Sequence, residues 1–343
     1  KLFLIKKINE NLKEKLTAKD LEKLENGGEK PSIIGLFIPL VFAVLAIFEY
    51  KYVKNYDQNI ELTNLYPTFL MILGGIYLIF LLLSSKVERV RDTLTHYWPL
   101  YTAIFVIFIV FDLLTLKFNI LQLPYFPWLD KVFNSMAADK SYLLESVISS
   151  LKLLFTGYFI GGLLGIVTGI LAGYFEKVNY WIDPILKLLG PIPTTTWLPL
   201  VMVLAINLFQ GAVFIIALGV WFQVSLATIT GIRNVDPAFY EAARTLGATN
   251  KDMVRRIAIP SAMPNIFQGL VSAMSAACNA LIVAEMMGVE SGLGWYITWK
   301  SSWADYTAMY GAIILLAVTF VIVNILIKKL SDRVLVWKNE GAI

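Results

Sequence analysis

The sequence predicts an all-α polytopic membrane protein with about eight spans. Two observations carry this. Hydrophobic residues make up 57% of the 343, and charged residues only 16%, against roughly a quarter in soluble domains. The apolar residues are gathered into runs close to the ~20 residues of helix needed to cross a hydrocarbon core of ~30 Å.

The net charge of +4 is small, and the basic residues sit in short loops rather than in one patch. That pattern reads as a topology signal and excludes a nucleic-acid-binding surface. Cys278 is the only cysteine, so no intramolecular disulfide forms. His96 is the only histidine, which leaves no His/Cys metal cluster. No convergent nucleophile or metal set stands in the apolar runs, so no catalytic residue is assigned. The sequence opens on Lys1 rather than Met, so residues are expected to precede it. No signal-peptide pattern stands in the charged stretch Lys1–Lys30.

Residues 1–30 are rich in Lys and Glu, with Leu12, Leu16, Leu21 and Leu24 at helical spacing, and end at Asn26-Gly27-Gly28. They read as a solvated arm, with a membrane-surface helix as the alternative. Residues 31–96 form a two-span region, with runs at 32–50 and 66–85 and a polar, nearly charge-balanced loop at 51–65. The basic turn 86–96 carries Lys86, Arg89 and Arg91. A core then fills 97–343. Its first run is 97–116. A polar connection follows to about 144, with Pro124, Pro127 and Trp128 as at an interface.

The next run, 142–174, places Gly157, Gly161, Gly165, Gly169 and Gly173 on one helical stripe. Small residues at every fourth position let helices pack backbone to backbone in lipid. Residues 175–190 are amphipathic. Pro191, Pro193 and Pro199 then fall within nine residues around Trp197, which predicts a broken helix running on to about Phe209. Broken helices at membrane depth survive only where protein or a cavity covers them. A span at 211–231 follows.

The run 261–287 carries Gln268, Ser272, Ser275 and Asn279 on one helical face, and Glu285 near its end. Such a face either hydrogen-bonds to another helix or lines an aqueous path. Residues 288–306 read as a partly embedded turn, and 307–327 as the last span, followed by Lys328, Lys329, Arg333 and Lys338. With about eight spans both termini share one side. Segments 1–30, 86–96, 233–256 and 328–338 then lie there together, and the positive-inside rule makes that side cytoplasmic.

The longest polar interval of the second half runs from Asp236 to Pro260. Asp236 is a natural N-cap and Pro237 suits the first helical position. Gly247 suits the left-handed C′ position. Thr249 with Asp252 has the form that opens a second helix, and Pro260 and Pro264 are expected to mark where it gives way to the apolar run. The interval reads either as a solvated loop or as a short helix offered to a partner. Ala242 and Ala243 would permit close approach, and Glu241, Arg244, Arg255 and Arg256 would supply charge contacts.

Glu241-Ala242-Ala243, then Gly247, then Ile257-x-Ile259-Pro260 resembles the EAA loop of permease subunits of binding-protein-dependent ABC importers, with Ile259 where the usual pattern has Leu. The Pro191-x-Pro193 to Trp197-x-Pro199-Leu200 segment, and Ala284-Glu285 with Gly288 and Gly292-Leu293-Gly294, resemble the nitrate/sulfonate/taurine branch of these permeases. The resemblance implies a type I importer (MetI-like) transmembrane fold across roughly 97–335, with the EAA loop at 236–260 as the ATPase-coupling loop. It implies ABC ATP-binding subunits, a second permease subunit and an extracytoplasmic substrate-binding protein as partners, in the cell membrane. It also implies a small anion or sulfonate as substrate: nitrate, taurine, alkanesulfonate or bicarbonate. The chain lacks G-x-x-x-x-G-K-[ST], so ATP and Mg are expected on the partner and no cofactor on this chain. The competing reading is an ATP-independent secondary transporter or channel. It would call on intramembrane acids, for which Asp112 and Glu285 are the candidates.

Overall fold

A computed structural model describes residues 33–335. The amphipathic arm expected over residues 1–30, and Lys338, lie outside that range. Within it the elements are helical: α1 Ile33–Tyr52, α2 Leu65–Ser84, α3 Glu88–Asp112, α4 Leu129–Ala138, α5 Lys140–Tyr174, α6 Glu176–Leu189, α7 Leu198–Leu204, α8 Leu208–Arg233, α9 Pro237–Thr245, α10 Asn250–Met253, α11 Ile259–Met287, α12 Leu293–Ser302 and α13 Tyr306–Val334. Seven helices are long and apolar enough to cross a membrane. The pair Glu176–Leu189 and Thr194–Leu204, bent by 87°, makes an eighth if counted as one span. Among the described residues this gives seven or eight spans against the eight expected, and the bent pair takes in the amphipathic stretch 175–190 ahead of the expected broken run.

The chain divides into two compact units. The first runs to Gln122 and includes Trp128–Asp130. In it α1, α2 and α3 pack around Leu36, Tyr77 and Leu94, and Gly35 lets α1 approach the Trp98 ring of α3. A π-helical turn, Leu113–Lys117, ends α3. There the buried Lys117 donates to the carbonyls of Tyr50 (2.8 Å) and Val53 (3.0 Å) and to Asn55 Oδ1 (3.0 Å). The sequence reading drew its core from residue 97. The compact division falls later, because the whole of α3 packs on α1 and α2.

The second unit is built on the α5–α8 seam. A Cβ added at Gly157 would meet Ile216, at Gly161 Val220, at Gly165 Val224, at Gly169 Thr228 and at Gly173 Ile232. Residue numbers rise together in both helices, so the two run parallel with their backbones in near contact. Beside the seam, Thr168 Oγ1 and Ser225 Oγ share a hydrogen bond of 2.8 Å, and Trp221 Nε1 donates to Thr168 (3.0 Å). The five-glycine stripe is thus a packing surface, and its partner is α8.

Parallel helices joined in sequence require the chain between them to come back along their length. Residues 175–207 do this in two pieces. α6 is amphipathic, and its Leu186 packs on Ala172 and Ile229. Beyond it Gly190 approaches Phe222, Thr194 approaches Gly219, and Met202 approaches Gly211. As the chain advances its partners on α8 recede, so the second piece climbs antiparallel along the first half of α8. α11 is antiparallel to α8, with Gly231 against Ala262 and Asn265, and Gly269 against Ala227. α5, α8 and α11 enclose one hydrophobic core containing Leu154, Ile216, Val220, Met274 and Leu281.

The two prolines in the first turns of α11, Pro260 and Pro264, do not stop the helix. α10, a π-helical turn at Val254–Ala258 and α11 form one apolar helical stretch, Asn250–Met287. Proline lacks an N–H and crowds the preceding turn; the wider π turn lies immediately ahead of Pro260. The turn expected at 288–306 contains a helix of its own, α12, and the connection before α5 contains α4.

The seam makes a test. A Cβ at Gly161 would run into the carbonyl oxygen of Ala217, whereas a Cβ at Gly75 meets nothing within 4 Å. Gly161→Val is expected to cost about 1–3 kcal/mol or more through overpacking, read as a loss of several degrees in the detergent thermal midpoint. Gly75→Ala is expected to leave the midpoint unchanged or slightly raised.

Candidate functional site: a capped helical loop, a broken span and a polar helix face

Asp236 Oδ1 accepts from the Ala238 N–H at 2.9 Å, and Pro237 occupies the first turn of α9. Gly247 takes φ +80°. Its N–H donates to Arg244 O and the Ala248 N–H to Ala243 O, both at 3.0 Å. This is the paired C-terminal closure that a left-handed residue makes possible. Thr249 and Asp252 form the reciprocal capping box. Every cap expected from the sequence is in place.

α9 contains no buried residue. Glu241, Ala242 and Arg244 are exposed, Ala243 is half-buried, and Ile257 and Pro260 sit at the base of the loop, half-buried and exposed. Two apolar residues stand outward as well: Phe239 is 62% exposed and Leu246 88%. Sequence reasoning passed over both, although an apolar residue at each end of a polar helix was the available signal. Tyr240 turns the other way, edge-on to Tyr174 at 6.1 Å, and joins the cluster of Ile232, Ala258, Ala262 and Ile266. Burial pushes the Tyr240 hydroxyl pKa up, with Tyr174 adding to it. Tyr240 therefore seats the helix, Ala243 is half-buried beside it, and the other residues of α9 face outward.

Pro191 and Pro193 are exposed at the break, which lies level with the middle of α8. Trp197 is half-buried on the core cluster, and its Nε1–H is buried with no hydrogen-bond partner. On α11, Gln268, Ser272, Ser275 and Asn279 are all exposed, while the opposite side of the helix, from Ala273 to Leu281, is core. Ser275 also donates to Asn324 Oδ1 of α13 at 3.3 Å. The expected polar face exists, and this unit leaves it uncovered.

Glu285 has a different setting from its neighbours on α11. It is 1% exposed. Its Oε1 accepts from Ser150 Oγ (2.7 Å) and its Oε2 from the Gly294 N–H (2.8 Å), while Ser150 Oγ accepts from the Leu293 N–H (2.9 Å). The carboxylate and the hydroxyl together satisfy the first free amides of α12, where a helix end favours negative charge. Gly292, at φ +115°, leaves no room for a Cβ beside the Glu285 carboxylate. Glu285 thus ties α11, α5 and α12 together. The other acid considered, Asp112, is buried in the first unit near Glu49 and Lys117.

A second joint lies at the same end of this unit. Asp139 Oδ2 accepts from Tyr296 (2.6 Å) and pairs with Lys300 at 3.0 Å, and Lys300 also reaches Asp305 at 3.4 Å. Lys300 sits over the Tyr296 and Trp299 rings, 5.4 and 5.0 Å from their centroids. Among the described residues no group of His, Cys, Asp and Glu is arranged to hold a metal ion.

The family described as "binding-protein-dependent transport system inner membrane component" matches residues 161–336. The chain belongs to this family. It is 31% identical over 184 residues to a protein named as the aliphatic sulfonates transport permease SsuC of Bacillus subtilis, covering 54% of this chain and 67% of that one. It is 26% identical to the nitrate import permease NrtB of Synechococcus elongatus, covering 52% and 64%. Among solved structures, an inward-facing MetNI methionine ABC transporter chain aligns at TM-score 0.49 and 22% identity, over 57% of this chain and 96% of that one.

The Asp139–Lys300 joint fixes a pH response. The hydrogen bonds from Tyr296 and Lys300 hold the Asp139 carboxyl below its usual range. Burial alone would lower Lys300, but the hydrogen bonds and charges of Asp139 and Asp305 raise it. A depressed acid stabilises fully above its unfolded pKa of ~3.9 and loses that contribution as pH falls through the lower folded value. A raised lysine stabilises fully below its unfolded ~10.4 and loses it as pH rises through the higher folded value. The joint is therefore expected to contribute evenly across neutral pH. Asp139→Asn should lower the melting midpoint at neutral pH and flatten its decline below about pH 4. An unchanged acid limb in that variant would remove the joint as its source.

Proposed function

We propose that this chain is the membrane-spanning permease subunit of an ATP-driven importer for a small anion or sulfonate such as nitrate, taurine, an alkanesulfonate or bicarbonate. Its termini lie in the cytoplasm and its ATPase is a separate protein. One observation carries the reading: α9 is fully capped, seated at its base by Tyr240, and presents Phe239, Glu241, Ala242, Arg244 and Leu246 outward. Exposed apolar residues beside charged ones on a short rigid helix fit a groove in a partner. Family membership supports an ABC ATPase as that partner, with ATP and Mg held there.

α8 and α11 enter the loop from either side, so displacement of α9 by ATP-driven closure of the partner moves both. The break at Pro191–Trp197 and the polar face of α11 then change their access to the two sides of the membrane. This is a two-state element biased by ATP. The uncovered face Gln268–Asn279 supports a second permease subunit across a shared aqueous path, since polar groups on a spanning helix do not face lipid. An extracytoplasmic binding protein delivers the substrate. The uncovered polar groups on this face are neutral, and neutral hydrogen-bond donors hold an anion weakly enough to let it go.

Two substitutions test this in the transporter assembled with its co-purifying ATPase. At Gly247 nothing crowds an added side chain, but φ is +80°, so Gly247→Val strains only the loop. It is expected to cut transport at least about tenfold while ATP hydrolysis persists. Normal transport would remove Gly247 from the coupling, and absence of any Walker-A-containing partner from the wild-type preparation would favour an ion-driven carrier. Trp197→Phe replaces the indole with a single smaller ring and deletes the unpartnered N–H. The relieved N–H offsets part of the lost packing, so stability is expected to change by no more than about 1–2 kcal/mol, while the half-saturating substrate concentration rises severalfold. No change in it would exclude the indole from the path.

A further inference from the structure

The first unit carries a groove that the transport reading does not use. It lies between α2 and α3 and has a volume of about 560 Å³. Its wall is apolar, with Ile76, Tyr77, Tyr101 and Phe105. The Tyr77 hydroxyl is already committed to the Leu36 carbonyl at 2.9 Å. The polar lining is confined to one end, where Arg89 and Thr93 stand on the first two turns of α3. Arg91, two residues on, pairs with Glu88 at 3.7 Å. Arg89 is exposed and has no ion pair among the described residues.

The dimensions select an occupant. From Thr93 to Phe105 the helix rises about 18 Å at ~1.5 Å per residue, close to one leaflet's ~15 Å share of the hydrocarbon core. Arg89 stands one turn beyond, at headgroup depth. Val87 offers α3 no side-chain cap, and the one first-turn acid, Glu88, is engaged by Arg91, so the partial positive charge of the helix N-terminus adds to the Arg89 guanidinium. The groove therefore has the length and apolar wall for an acyl chain and an unneutralised cation where a phosphate would sit.

We propose that this groove binds an anionic phospholipid, with one acyl chain laid along Tyr77–Phe105 and the phosphate held by Arg89. The site lies on the membrane face that carries Lys86, Arg89 and Arg91. It gives the two-span N-terminal region a role as a lipid-anchored element, independent of what the second unit carries.

The test is retention of defined lipids by the full chain, extracted in mild detergent and weighed intact by native mass spectrometry after exchange into phosphatidylglycerol or phosphatidylcholine. The wild type is expected to keep one phosphatidylglycerol with at least about tenfold preference. Arg89→Gln should bring the two lipids to parity, and Arg89→Lys should keep the preference. Ile76→Trp fills the groove with Arg89 intact and should lose the bound lipid. Positions 76 and 89 are both exposed, so these changes leave the core of the unit untouched, which a melting curve checks. Equal retention of both lipids by the wild type would overturn the proposal, as would a preference that survives Arg89→Gln. A photocrosslinker at position 93 that captures a polypeptide in native membranes would also overturn it. None of these readouts uses transport, so they stand apart from the proposed function.

Discussion

The contact on which the second unit depends is the glycine seam between α5 and α8. In lipid the hydrophobic effect does not drive one helix onto another; close packing and interhelical hydrogen bonds do. Five glycines in register remove every side chain that would hold the backbones apart, and Thr168, Ser225 and Trp221 add polar contacts beside them. Because the seam is parallel, residues 175–207 must return along its length. The broken span is thus a consequence of the seam as much as of its prolines. Its break falls level with the middle of α8 because the return is shared between α6 and the Thr194–Leu204 piece.

What the sequence revealed divides by the range of the interaction. The caps of the α9 loop depend on a few neighbouring residues, Asp236, Pro237, Gly247, Thr249 and Asp252, and all were legible. The glycine stripe was legible as a packing face, but its partner was not: nothing local to Gly157–Gly173 points to residues 216–232. Pro260 was misleading for the same reason in reverse. A local rule ends a helix there, and the π turn at Val254–Ala258, adjoining buried Met253 and including buried Ala258, carries it through. The polar face of α11 was found by its spacing. Ser150 beside Glu285 was not, because a serine more than a hundred residues away in sequence leaves no periodic trace. Which spans pack together was not legible either, since hydropathy counts spans and does not pair them: α3 lies with α1 and α2 in the compact unit that runs to Gln122.

The two ends of α11 are held by different chemistry. At the loop end small residues bring it against α8, where Gly231 meets Ala262 and Gly269 meets Ala227, and the loop is seated by Tyr240. At the other end a buried carboxylate joins it to α5 and α12. Apolar seams of small residues resist separation but offer no directional bond of their own, whereas the Glu285–Ser150–Gly294 cluster fixes both distance and direction; between them Tyr158 of α5 donates to the Leu270 carbonyl at 3.0 Å. In the proposed cycle a push through the loop would tilt α11 about the cluster, its most firmly bonded end.

That difference bears on how the proposed path, which has no fixed charge, would be switched. On one helix, Gln268 stands level with the last seam contact at Gly269, and Ser272, Ser275 and Asn279 lie between it and the cluster. Any tilt of α11 about Glu285 carries them together, and displaces Gln268, nearest the loop, more than Asn279, nearest the pivot. A small movement at the loop end thus changes the separation between this face and whatever stands opposite most strongly on the loop side of the membrane. Under the proposed function, opening toward the loop side and closing toward it would be two positions of one lever, with the buried carboxylate, removed from the uncovered face, holding the fulcrum in place.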